Sequence, residues 1–291
     1  MDSALTQERV SAYWNGRPCD SDLSDRDRLS RDYFLEIERE RYALQPHILD
    51  LIASIDWRGK RVLEIGSGVG SDARRIIGMG ADYTGINVDR GSTEATSQAL
   101  RVFSVPGRAL QCDATSLDFP DEAFDVVYSF GVLHHIPEVG KTVSEIRRVL
   151  KPGGEVLVML YNRASINYAV EIMFLRKLGV RILSAPGAVA LLSRLGLPRE
   201  KLERHRELCS RRMSDEEWLS RNTDGPDNPY SRVYDAAEAA ELLAGFRIRA
   251  NEVHFFDHRH WGALGRLLPR GVRRALGRRW GWHRIVHARK E

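Results

Sequence analysis

The stretch EIGSGVG, Glu64 to Gly70, sets glycines at 66, 68 and 70 directly after a short apolar run. Glycine at such a place lets the backbone turn tightly and lets a ligand approach it closely. The spacing is G-x-G-x-G. A dinucleotide fingerprint would need glycine at 71, where the chain has Ser71. Glu64 stands ahead of the loop, and its carboxylate would repel a pyrophosphate while attracting a ligand that carries an amine and a sulfonium. A second stretch, YTGINVD (83–89), reads as the end of a strand at which an acid normally holds a ribose. Asn87 occupies that position and Asp89 follows two residues later. Asn both donates and accepts, so it can still bind ribose hydroxyls, but without the charge-assisted bond. Asn87 is preferred and Asp89 stays open. A third stretch, GVLHHIPE, carries His134 and His135. An imidazole that titrates near ~6.5 suits a general base at neutral pH. Either ring could equally cap the next helix or shape a pocket.

These residues need a scaffold, and the apolar pattern supplies one. RVLEIG, ADYTGIN, GRALQCDA, FDVVYSFG and EVLVMLYN read as five buried strands. SDARRIIGMG, GSTEATSQALRVF and VGKTVSEIRRVLKPGG read as the helices between them, with Gly80 and the Pro-Gly-Gly run as stops. Strands alternating with helices at this pitch predict βαβ units and a parallel sheet covered on both faces. The pattern lapses over 163–234, which is helical in character and broken by Pro and Gly. It resumes with a helix at 235–245, the strand FRIRANEVHFF, a basic helix over 262–280 and a closing strand at 281–290. The expected division is a helical lid over 1–57, a core over 58–162 and 235–291, and a substrate-side insertion over 163–234. Ligands in open α/β sheets sit beyond the carboxyl ends of the strands, which is where the His pair falls.

VLEIGSGVG, CDATSLDFPDEAFDVVYS, GVLHHIPE and RRVLKPGGEVLV follow one another over roughly 60–162. Together they resemble the successive motifs of class I S-adenosylmethionine-dependent methyltransferases of the small-molecule, type 11-like kind. The resemblance implies a Rossmann-like, doubly wound, seven-stranded sheet whose last strand runs antiparallel between the fifth and sixth. It implies S-adenosylmethionine as co-substrate, with Glu64, Gly66, Ser67, Gly68 and Gly70 around the methionine part and Asn87 at the ribose. It implies Asp113 at the adenine amine, with Ala114 and Phe130 nearby, and a base role for His134 or His135. The sterol and fatty-acid cyclopropane types of the family also vary at the position of Asn87. YWNGRPC (13–19) reads as part of the lid. Tyr13 would close over the co-substrate, where an aromatic face beside a sulfonium gains cation–π attraction. Trp14, Arg17, Tyr161 and Asn162 would face the acceptor, with Arg17 able to meet a carboxylate.

The totals narrow the alternatives. Three scattered cysteines, Cys19, Cys112 and Cys209, form no CxxC pair, which argues for a reducing, cytoplasmic setting. The N-terminus shows no signal-peptide pattern, and the apolar stretch 164–197 is too interrupted for the ~20 residues of a membrane span. Between Gly262 and Lys290 the local charge is +9, against −5 for the rest of the chain. Such a cluster suits nucleic acid or an acidic membrane surface. However, Leu264, Leu267, Leu268, Val272, Ala275 and Leu276 recur at helical spacing, so the segment reads as an edge of the fold with its arginines on the other side, and nucleic acid is disfavoured. His254, Asp257, His258 and His260 match no zinc spacing, so no metal is expected. DNPY (227–230) lacks one proline of the tetrad used by amino-methylating DNA enzymes and falls in the wrong place.

The expected function is methyl transfer to a small organic molecule in specialised metabolism, on oxygen first, then on nitrogen or carbon. The alternative is carbon methylation of a lipid-like or isoprenoid substrate. From other classes come a non-catalytic S-adenosylmethionine-binding module and an RNA-modifying enzyme. Oligomeric state is not legible.

Overall fold

A computed structural model of the chain describes residues 3–194, 198–200, 202–203, 206 and 213–291, without side chains at 3–5, 260 and 262–264. Cys209 and the side chains of His260 and Leu264 lie outside the described residues.

The five predicted strands form β1 (Arg61–Ile65), β2 (Asp82–Asn87), β3 (Arg108–Gln111), β4 (Phe124–Phe130) and β5 (Leu150–Asn162), all parallel. β6 is a two-residue strand, Val233–Tyr234, set parallel against Tyr161 and Asn162 at the end of β5. β7 (Phe246–His254) and β8 (His283–Lys290) complete the order β3-β2-β1-β4-β5-β8-β7. β8 runs antiparallel to β5 and to β7. The Rossmann-like sheet with an antiparallel last strand is therefore present, and β6 is an addition the pattern did not announce. The strand order reverses between β1 and β4, which opens a crevice at their carboxyl ends.

Side-chain alternation explains how both faces are covered. Leu63, Ile65, Val127, Val156, Val158 and Leu160 point to one face, where α6 (Val139–Val149) lays Val143 and Ile146 on them. Val62, Val126, Tyr128, Leu157 and Met159 point to the other. There they meet α3 (His47–Ala53) through Ile48 and Ile52, and α4 (Ser71–Gly78) through Ile76 and Ile77. α5 (Arg90–Val102) flanks β2 and β3.

The N-terminal residues divide in two. α2 (Arg31–Leu44), started by the Ser30 side chain accepting from the Tyr33 N–H at 3.1 Å, is part of the core: Phe34 and Ile37 are buried. α1 (Ser3–Gly16) instead crosses the crevice and packs on α5. Beyond this packing, one carboxylate ties α2 to the sheet by hydrogen bonds. Asp72, in the first turn of α4, accepts from Arg41 Nη2 at 2.8 Å, from Tyr42 at 2.9 Å and from Tyr128 of β4 at 2.9 Å. Arg41 also donates to Asp20 at 2.5 Å.

The segment 163–234 opens as a π-helix, Asn167–Arg176, continues as Lys177–Leu183 and Ala188–Arg194, and ends as the helix Asp215–Arg221. The predicted single basic helix is two, Gly262–Leu267 and Arg270–Trp280, because Pro269 lacks an N–H and cannot continue a helix. Its apolar residues are not a buried face. Leu267 is 78% exposed, and only Gly277 is buried in the second helix, against the backbone of Phe255 and Phe256.

Replacing Asp72 with alanine leaves Arg41 buried with a single acidic partner. We expect a loss of about 3–5 kcal/mol of stability in denaturant unfolding, the cost of breaking a buried pair.

Candidate functional site

The glycine loop turns between β1 and α4 with Gly66, Gly68 and Gly70 all at positive φ, +80°, +56° and +78°. A Cβ on Gly66 would run into Val132, so the loop lies hard against the strand-four turn. Asn87 ties the loop to β2. Its Oδ1 accepts from the Gly68 N–H at 3.0 Å, and its Nδ2 donates to Ser67 Oγ at 2.9 Å. Both ends of this amide are thus engaged inside the protein. Asp89 caps α5, accepting from the Ser92 N–H at 2.7 Å, and its residue lines the same cavity.

That cavity, of about 660 Å3 open to solvent, runs from Asp89, Cys112 and Ala114 past Gly66 and Gly68 to Trp14 and His135. Gln7, Val10 and Trp14 of α1 roof it. Gln7 Nε2 donates to Asp113 Oδ2 at 3.2 Å, and Asp113 Oδ1 accepts from the Thr115 N–H at 2.8 Å. The Asp113 carboxyl therefore braces both its own turn and α1, while Ala114 forms the cavity wall.

A second cleft of about 390 Å3 adjoins the loop and is lined by Asp20, Arg41, Glu64, Ser67, Asp72 and Phe130, among others. Glu64 is buried and accepts from the Tyr83 hydroxyl at 2.5 Å. Burial first, and then the neighbouring Asp72, raise its carboxyl from 4.5 to about 8. A cation set beside it would restore its charge. The Arg41 guanidinium lies over the Phe130 ring, 5.4 Å from its centroid.

The histidines part company. His134 is fully buried and lies tilted against Tyr161 with centroids 3.7 Å apart. Neither of its ring nitrogens has a hydrogen-bond partner, and burial holds it well below its usual range. It does not reach the cavity. His135 does, with Trp14 edge-on at 5.4 Å. Its Nδ1 lies 2.8 Å from the Tyr230 carbonyl, which can only accept, so Nδ1 carries the proton and Nε2 is the free base nitrogen. Nε2 is 3.4 Å from Asp224 Oδ2, without the geometry of a hydrogen bond. Asp224 comes from the end of the insertion and is fixed there by Tyr161, which donates to its Oδ1 at 2.7 Å, and by Tyr13, which donates to its backbone carbonyl at 2.6 Å. Tyr161 in turn stacks on Trp282.

Three other predicted site residues sit elsewhere. Arg17 is paired with Asp22 at the surface. Asn162 is a buried joint, donating to the Gly281 carbonyl at 2.8 Å and accepting from Arg284 at 2.9 Å. Tyr13 holds Asp224 and lies outside the cavity lining. Among the described residues no group of His, Cys, Asp or Glu is placed to hold a metal. Sequence reasoning missed Arg41, Asp72 and Asp224. Only Asp224 had a signal, in the turn-rich DGPDNPY that leads back to the core.

Residues 63–158 match the methyltransferase domain family of type 11. The chain is 40% identical over 102 residues to sterol 24-C-methyltransferase ERG6B of Gibberella zeae, covering 33% of this chain and 26% of that protein. It is 36% identical over 112 residues to the phosphatidylethanolamine N-methyltransferase of Cereibacter sphaeroides, covering 37% and 53%. It is 31% identical over 149 residues to phthiotriol/phenolphthiotriol dimycocerosates methyltransferase 1 of Mycobacterium ulcerans, covering 50% of each. The chain thus spans a quarter to about half the length of these relatives. In fold, it resembles magnesium protoporphyrin IX methyltransferase (ChlM) from Synechocystis PCC 6803 with bound SAH, at TM-score 0.55 and 14% identity over 98% of this chain and 100% of that one. It also resembles the [4+2]-cyclase SpnF, at TM-score 0.54 and 19% identity over 99% and 94%. At these identities the likeness is one of fold.

Gly66→Ala combines a positive φ with a collision against Val132. A loss of at least ~1–3 kcal/mol is expected in denaturant unfolding. Gly78→Ala, at the end of α4 with open space around it, should be neutral or stabilising by up to ~1 kcal/mol.

Proposed function

With residues 63–158 a class I S-adenosylmethionine-dependent methyltransferase domain of type 11, we propose that the chain transfers the methyl group of S-adenosylmethionine to an oxygen or nitrogen of a small, lipid-like organic molecule. The observation that carries this reading is His135, facing the cavity with its Nδ1 proton held by the Tyr230 carbonyl and a carboxylate, Asp224, 3.4 Å from its Nε2.

The co-substrate supplies an already activated methyl group on a sulfonium, so alignment and exclusion of water carry much of the rate. The chain's residues divide this work. The glycine loop lets the ligand lie against bare backbone. Glu64 and Arg41 offer the second cleft a carboxyl for the amine and a guanidinium for the carboxylate of the methionine part. Asp89, which lines the cavity beside its cap on α5, takes the ribose hydroxyls, and Asn87 shapes the loop instead. Trp14 and α1 roof the site. His135 Nε2, which is buried beside Asp224 before the ligand binds, accepts the acceptor's proton when a shift of the ring or of Asp224 opens it to the cavity, and Asp224 stabilises the imidazolium that results.

A second reading, carbon methylation of a lipid-like or isoprenoid substrate, is favoured by the carboxylate that the insertion brings to the site. The two readings differ in the methylated atom, which mass spectrometry of the product of a labelled co-substrate reports against a panel of sterols, hydroxylated lipids and ethanolamine lipids. Failure of the protein to bind either S-adenosylmethionine or its homocysteine product in calorimetry would sink both.

His135→Gln should lower kcat/KM by about 10²–10⁴-fold and remove the acid limb of its pH profile, while His134→Phe, away from the cavity, should keep that limb. An unchanged profile in His135→Gln rules out the histidine base.

Glu64 sets a separate pH dependence. With its carboxyl raised to about 8, it is protonated at neutral pH before the ligand arrives. The ligand's ammonium lowers that value, so a proton leaves on binding. Affinity should rise between about pH 6 and pH 8 and level off above, and calorimetry at pH 7 in buffers of different ionisation heat should show release of close to one proton.

A further inference from the structure

The segment 262–280 carries six arginines and no acid. None of Arg266, Arg270, Arg274, Arg278 and Arg279 pairs with an acidic side chain among the described residues, and all five are exposed. Between them stand apolar side chains that the fold leaves in water: Leu267 at 78%, Trp280 at 45% and Val272 at 43% exposure. The helix Arg270–Trp280 packs along β7, most closely where Gly277 meets the backbone of Phe255 and Phe256.

The insertion shows a second exposed apolar stripe. Phe174, Leu178 and Ile182 recur four residues apart along consecutive helical turns, at 60%, 42% and 51% exposure, with Leu191 at 60% on the next helix. Exposed Arg181 and Arg194 accompany it. The segments that carry the two surfaces are joined beneath them: Asn167, at the start of the insertion, reaches the Asp257 carbonyl at 3.5 Å, next to the Phe255–Phe256 backbone under Gly277. The basic helix also ends two residues before Trp282, which stacks on Tyr161, the residue that holds Asp224 beside His135.

We propose that Gly262–Trp280, with the adjoining stripe of the insertion, docks the protein on an anionic lipid surface. Arginines alternating with exposed Leu, Val and Trp on short helices are what an interface of charged headgroups and acyl chains accepts: the cations meet the headgroups while the apolar side chains enter the boundary below them. A nucleic-acid backbone would use the arginines but leave Leu267, Val272 and Trp280 in water. The surface itself does not depend on methyl transfer and is tested without it.

The full chain is floated with vesicles of phosphatidylcholine alone and of phosphatidylcholine with about one third phosphatidylserine, at about 0.1 M salt. It should bind the anionic vesicles and release as salt rises. Arg270→Gln/Arg274→Gln/Arg278→Gln should weaken binding by about tenfold or more, and Leu267→Ser/Val272→Ser/Trp280→Ser should weaken it comparably, with the melting temperature of both unchanged because these side chains are exposed. Four results overturn the proposal: no vesicle binding; equal binding to neutral vesicles that ignores the arginine variant; duplex RNA bound in place of vesicles and unaffected by the apolar variant; or a dimer in sedimentation that the apolar variant abolishes while vesicles are ignored.

Discussion

A buried carboxylate holds this molecule together. Asp72 sits at the start of the helix that follows the glycine loop and gathers Arg41 and Tyr42 from α2 and Tyr128 from β4. A charge so deep is tolerable only when fully paired and hydrogen-bonded, so the three elements cannot shift independently. Arg41 passes the constraint to Asp20, and with it to the segment that leads into the lid. The same group lines the second cleft beside Glu64 and raises the Glu64 carboxyl. One interaction thus fixes α2 against the sheet and helps set the protonation of the cleft.

The glycine loop depends on a second constraint, the side chain at the end of β2. In the usual arrangement an acid there would face the ligand. Here Asn87 bonds Gly68 and Ser67 with opposite ends of its amide. A carboxylate, which only accepts, could not donate to Ser67 as this amide does. The neutral residue is therefore suited to bracing the loop, and the acidic side chain of Asp89 reaches the cavity wall from the next turn.

The legible parts were those where local pattern decides. The five parallel strands and their helices follow from apolar periodicity and glycine stops, because β1, β2, β4 and β5 are buried, while the antiparallel direction of the closing strand came from the family resemblance. The glycine loop and the histidine pair announced themselves by spacing. The basic segment misled because periodicity says which residues share a helix face, not whether anything covers it. Pro269 split the helix, and Leu267 and Val272 ended in solvent. β6 was invisible because two residues carry no pattern, and it exists only where the returning chain meets the end of β5.

The chemistry of the cleft shows the same division. The sequence by itself determined the strand–turn–helix units of the sheet, the glycine loop and the acid beside it, since each is a local pattern. Only the tertiary structure decided which histidine reaches the cavity, since of two touching rings one is enclosed against Tyr161 and the other lines the cavity. Only the tertiary structure brought Asp224 to His135 across 89 residues and Arg41 to Asp72 across 31. Partners so far apart in the chain have no spacing to betray them. Their meeting is set by how the insertion and α2 pack, and packing is a property of the whole fold.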